Sequence, residues 1–116
     1  MAAHSDLWPK ELDALTASPE HHRLLLENDT VRVLETRIEP GETTAMHTHC
    51  WPAVYTILSW SDIVRRDEAG AITFDSRDSG MVKNMDLAVW SAPIGPHTLE
   101  NVGDKPVFLV SVEIKG

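Results

Sequence analysis

The spacing of apolar positions changes character at residue 22. Before it, Leu7, Trp8, Leu12 and Leu15 recur near helical spacing. Pro9 suits a first helical turn, with Ser5 or Asp6 as caps. Ser18-Pro19 ends the pattern, because a residue before proline avoids the helical region. These residues predict a short helix over about 9–17, packed on the body of the protein or on a partner subunit.

From residue 22 onward, short apolar runs are separated by turn residues. The turns are Asn28-Asp29, Pro40-Gly41, Asp67 to Gly70, Ser76 to Gly80, Pro93-Ile94-Gly95-Pro96 and Gly103 to Pro106. Between them the pattern predicts strands near 23–27, 31–38, 44–49, 53–60, 62–66, 71–75, 80–84, 88–90, 97–101 and 106–114. Many short strands with no helix between them predict an all-β sandwich or barrel. The last run is apolar at nearly every place until Ser111, as in a strand buried on both faces. The expected division is a helical extension over 1–21 and a β-barrel over 22–116.

Composition narrows the class. At 116 residues the chain suits one domain with a single modest core. No apolar run approaches the ~20 residues of a membrane-spanning helix, so no membrane partner is expected. Residues 1–10 lack a basic start and an apolar run of the secretory kind, which makes a cytoplasmic location the expectation. The lone Cys50 cannot form an internal disulfide, in keeping with a reducing compartment. The net charge is −8, so a basic nucleic-acid footprint is absent and no nucleic-acid partner is expected. Arg65-Arg66 is followed at once by Asp67-Glu68, and the cluster reads as a solvated hairpin end.

The candidate chemistry lies in histidines. His47 and His49, two residues apart on an extended strand, share a face. His97 lies far downstream after Pro93-Ile94-Gly95-Pro96 and before Asn101. Convergence of the three would make a metal site, since neutral imidazole suits Fe, Zn, Cu, Ni and Mn. The bland alternative is a chance pair of surface histidines.

Here the chain resembles a small single-domain cupin, of the RmlC-like jelly-roll kind with a three-histidine metal motif. The family's first motif opens with a glycine, five residues and His-x-His, which Gly41, His47 and His49 match. The second contains Pro-x-Gly, a histidine and, three residues on, an asparagine. Pro93, Gly95, His97 and Asn101 match it, with one residue fewer between Gly95 and His97. The resemblance spans roughly residues 22–114 and implies a jelly roll of antiparallel strands, often dimeric, with a metal near one mouth. The family's glutamate falls at Ala53 or Val54 here, and neither binds a metal. The closing glycine of the first motif is missing near Ser59 to Ser61. The opening glycine of the second is missing at Met85-Asp86-Leu87.

The metal ligands expected from the resemblance are therefore His47, His49 and His97. Three neutral imidazoles leave a divalent charge uncompensated and favour an anionic ligand at open coordination positions. Some cupins of this pattern are three-histidine iron dioxygenases. The resemblance thus points to a small-molecule oxygenase using a divalent transition metal, Fe(II) before Zn, Ni, Mn or Cu. The alternatives are a non-catalytic metal- or small-molecule-binding cupin and a metal-dependent isomerase or hydrolase. The expected partners are a small-molecule substrate and a second copy of the chain in a homodimer.

Other residues take supporting roles. Trp51, Tyr55 and Trp90 are the candidate substrate-pocket residues, whereas Trp60 and Phe74 suit barrel filling. Cys50 should face away from His49 as a small buried hydrophobe. Glu35 is the best placed of three carboxylates to orient a histidine, with Glu42 and Glu100 exposed. His4, His21 and His22 fall outside the motifs and outside the expected site. Asn101 is expected to fix the turn around His97.

Overall fold

Two antiparallel sheets face each other across a cavity. The computed structural model describes residues 7–79 and 87–116. The strand expected over 80–84 and the caps Ser5 and Asp6 lie outside the described residues. One sheet has the order β1 (His22–Glu27), β2 (Val31–Ile38), β9 (Val107–Ile114), β4 (Ala53–Ser59) and β7 (Ala88–Ser91). The other has the order β3 (His47–His49), β8 (Ile94–Asn101), β5 (Ile63–Arg66) and β6 (Ile72–Asp75). This is the predicted jelly roll, built as two sheets and not as a closed barrel.

Alternation sets the inner faces. On β2 the buried positions are Arg32, Leu34, Thr36 and Ile38. On β9 they are Val107, Leu109, Ser111 and Glu113, so this strand is buried chiefly on one face instead of both. β2 and β4 flank β9 in register, which places Ala53 directly across from Glu113. Ile38, Ile63, Val107 and Leu109 form the core, with Tyr55, Ile57, Trp60, Phe74 and Leu99 packed against it.

The expected single helix is broken in two. A 3₁₀ turn, Lys10–Leu12, is followed by one helical turn, α1 (Ala14–Ala17). Asp13 sits between them and caps α1 by accepting from the Leu15 amide at 3.2 Å. Asp13 also bridges to Thr48 and binds Arg32, which holds it in extended conformation where a helix would need it wound. Ser18 ends α1, as its proline neighbour predicts. Ser76 to Ser79, expected as a turn, forms a single helical turn, α2 (Ser76–Ser79).

Two local differences shape the site. Gly41 has a φ of +85°, a left-handed turn that glycine adopts without strain. Its amide donates to the Asn101 carbonyl at 3.0 Å, and the Asn101 amide donates to Glu42. The expected strand 44–49 is therefore an irregular run laced to β8 and regular only at β3. Pro93 to Pro96 was expected as a turn, yet β8 begins at Ile94. Gly95 lets the Trp8 ring approach to 3.2 Å of where a Cβ would stand, fixing the N-terminal strap to the start of β8.

Candidate metal centre

β3 and β8 pair so that His47 lies directly opposite His97. Their ring centroids are 4.4 Å apart, and His49 lies 4.9 Å from His47 and 5.6 Å from His97. The two half-motifs thus meet through a strand register. A fourth ring joins them from the opposite sheet. His22 pairs with Thr36 on the inner face of β2, and its ring is 4.6 Å from His47 and 5.5 Å from His49. All four histidines are buried. The possible ligand atoms of His22, His47 and His49 all lie within 4.8 Å of one another. His22, expected outside the site, is therefore inside it.

Three of the rings are fixed by backbone carbonyls. His22 Nδ1 donates to Ser18 at 2.9 Å, His47 Nδ1 to Ala45 at 2.7 Å, and His97 Nδ1 to Gly95 at 2.7 Å. A carbonyl only accepts, so each ring keeps its hydrogen on Nδ1 and its lone pair on Nε2. Burial, reinforced by the neighbouring His49 imidazole, pushes His22 down to about 4, His97 to about 3 and His47 to about 2. At neutral pH these are neutral imidazoles with a free nitrogen each, the state a metal requires.

His49 is held differently. Its Nδ1 lies 3.6 Å from Glu113 Oε2, and both atoms are buried without a hydrogen bond. Glu113 is 1% exposed. Its Oε1 accepts from Arg32 Nε at 2.5 Å, and Arg32 donates both Nη groups to Asp13 at 3.0 and 2.8 Å. Burial alone would lower the Arg32 guanidinium, but Asp13 and Glu113 hold it well above its usual value. The chain Asp13–Arg32–Glu113 therefore carries one excess negative charge to the back of His49. A carboxylate there favours a cation at the imidazoles.

This carboxylate lies beside His49 and is not one of the grouped ligand atoms, so it supplies charge near the site where the motif would supply a ligand. Ala53, buried on the inner face with Tyr55 and Ile57, is the site-facing position, while Val54 points to the other face. Glu113 stands across the strand pair from Ala53, so the charge comes from the neighbouring strand. The carboxylates weighed from sequence go elsewhere: Glu35 to Arg23, Glu100 to Arg66, and Glu42 to His21. Asn101 fixes the turn after β8, binding Ile38, Lys105 and Gly103, and leaves His97 to Gly95. Cys50 is buried and free, its thiol pushed up to about 11 by burial.

The histidines open on a cavity of about 230 Å³ between the sheets. Its walls include Ile38, Ile57, Trp60, Ile63, Phe74 and Leu99. Tyr55 lines it, and Trp90, 62% exposed, stands at its edge. Trp51 does not line it, because the chain turns between β3 and β4 and puts that ring under Arg32, 4.9 Å away. Arg65 lines the cavity too, in contrast to the solvated hairpin end expected of it.

No family model matches the chain, and no curated protein matches its sequence. Solved structures are similar in fold. A cupin domain from Bordetella pertussis Tohama I matches with a TM-score of 0.61 at 19% identity, covering 82% of this chain and 92% of that one. An RmlC-like cupin family protein from Methanocaldococcus jannaschii matches with a TM-score of 0.55 at 11% identity, covering 80% and 77%. An uncharacterized conserved protein with a double-stranded β-helix domain, from Klebsiella pneumoniae, matches with a TM-score of 0.54 at 23% identity, covering 82% and 71%. The two-sheet topology and these likenesses agree: the chain has the cupin fold, the double-stranded β-helix.

Proposed function

We propose that this protein binds one divalent transition metal at its histidine cluster and acts as a small-molecule oxygenase of the dioxygenase kind. The observation that carries the metal reading is the set His22, His47 and His49, buried together with ligand atoms within 4.8 Å. His97, fixed by Gly95 and with its ring 4.4 Å from that of His47, completes the group from which the ligands are drawn. An all-imidazole set without thiolate suits Fe(II), Zn, Ni or Cu(II), with Mn a weaker fit, and Fe(II) is the ion that the oxygenase reading requires. Bound Fe(II) supplies open coordination positions and redox electrons. The chain's own residues hold the ion, exclude water and orient a substrate against apolar walls.

Two experiments address this reading. Fe(II)-loaded protein is given diketones, phenols and thiols while oxygen uptake is followed, and uptake lost in His47→Ala supports it. Metal-loaded protein that consumes no oxygen across the panel is instead a binding cupin, and oxygen-independent turnover marks an isomerase or hydrolase. The working unit in this proposal is a homodimer, joined at β1, an edge strand with Leu24, Leu25 and Leu26 exposed. Sedimentation at micromolar concentration distinguishes it from a monomer.

A further inference from the structure

β5 carries two adjacent arginines with opposite fates. Arg66 donates to Glu100 at 2.8 Å. Arg65 faces inward with Ile63 and lines the cavity shared by the four histidines. Among the described residues no carboxylate lies within ion-pair distance of it, and its Nε is buried without a hydrogen-bond partner. Its guanidinium lies 5.9 Å from the Phe74 ring, and its charge is felt at Tyr55 and His97. Burial pulls Arg65 below its usual value, whereas the doubly paired Arg32 is raised. A half-buried cation with no counter-ion among the described residues is costly, and its placement in a largely apolar cavity suits an anionic occupant.

We propose that Arg65 anchors the anionic end of the ligand and that the cavity takes a small, largely apolar monocarboxylate. The guanidinium offers a planar fork that matches a carboxylate. The charge fits a monoanion, because Arg65 brings one guanidinium to the cavity and Arg66 is already paired with Glu100. The walls, Phe74, Trp60, Ile57 and Leu99, suit an aryl or alkyl body, and the volume of about 230 Å³ limits it to a small one. The proposal rests on the metal reading only for what lies at the histidine end. The anchor itself needs no metal.

The probe is phenylacetate, with 2-phenylethanol as its uncharged counterpart. Both are titrated calorimetrically into metal-free and Zn(II)-loaded protein, wild type, Arg65→Met and Arg65→Lys. Phenylacetate should bind metal-free wild type at least tenfold more tightly than 2-phenylethanol. Arg65→Met should remove that preference and Arg65→Lys should keep part of it. The metal-free Arg65→Met protein should melt no lower than wild type, since the arginine has no ion pair to lose among the described residues; a merely structural arginine would lower it. Equal phenylacetate binding by wild type and Arg65→Met overturns the anchor, as does binding that appears only with metal. Absence of any preference for phenylacetate in wild type overturns it without recourse to a variant. Arg65-dependent binding in a protein that takes up no metal upholds the anchor and removes the metal reading instead.

Discussion

The four imidazoles differ in what their Nδ1 atoms meet. Three meet backbone carbonyls, so no side-chain substitution elsewhere can easily turn them. His49 meets a carboxylate, which makes it the ring most open to mutation. Glu113→Gln should weaken metal affinity by about tenfold or more, the usual cost of losing such a partner. Competitive titration against a chelating dye measures this. Wild-type affinity in the variant would mean that Glu113 does not hold His49. His47, His49 and His97 were legible because motif spacing survives in the sequence. His22 and Glu113 were not. His22 opens a strand whose next residues are exposed, with a register shift between Leu24 and Leu26, so no alternation marks it as inward. Glu113 is marked only by sharing a face with Val107, Leu109 and Ser111, and the apolar residues on the other face hid that alternation.

At the scale of elements, the N-terminal strap belongs to the site. Ser18 fixes His22, Trp8 covers Gly95, and Asp13 joins α1 to Arg32 and thence to Glu113. Asp13→Ala removes a cap and leaves a buried guanidinium short of one partner. It should cost about 3 kcal/mol, measured by urea denaturation. Asp13→Asn keeps the capping oxygen and should cost less by about 1 kcal/mol. Loss within about 0.5 kcal/mol of wild type in Asp13→Ala would show the strap to be only a covering. The helical periodicity of Leu7, Trp8, Leu12 and Leu15 predicted one short helix over about 9–17 here. It missed the break because Asp13 is held extended by groups distant in sequence. Pro93 to Pro96 misled for a related reason: local turn residues are recruited into β8 by pairing with β3 and by the ring of Trp8.

For the whole molecule, packing four imidazoles between two sheets makes stability depend on pH. His22, His47 and His97 have folded values of about 4, 2 and 3, below the ordinary 6.5 of the unfolded chain. Above pH 6.5 both states are neutral and the cluster costs nothing in protons. As pH falls below 6.5 the unfolded chain binds protons that the folded one refuses, so stability declines. The decline ends near pH 4 for His22 and continues lower for the other two. Each proton so taken up costs about 1.4 kcal/mol per pH unit. Metal-free protein should therefore melt progressively lower from pH 7 to pH 5, and calorimetry across that range is the check. A flat profile would mean that the rings are not buried as described. The all-β class was readable from apolar runs and turns, and the jelly roll from the resemblance, but the order of strands in the two sheets and the meeting of His22 with β3 were not, since they depend on how the strands pair and the sheets face each other.

The most direct measurement is metal content. Protein prepared without chelators, then exposed to excess Fe(II) without oxygen and desalted, is assayed for bound metal beside a His47→Ala/His49→Ala variant whose folding is checked by circular dichroism. One metal ion per chain is expected in the wild type, with loss of that ion in the folded variant. Equal metal in both proteins, or none in the wild type after loading with Fe(II), Zn(II), Ni(II) and Mn(II) in turn, would contradict the metal reading.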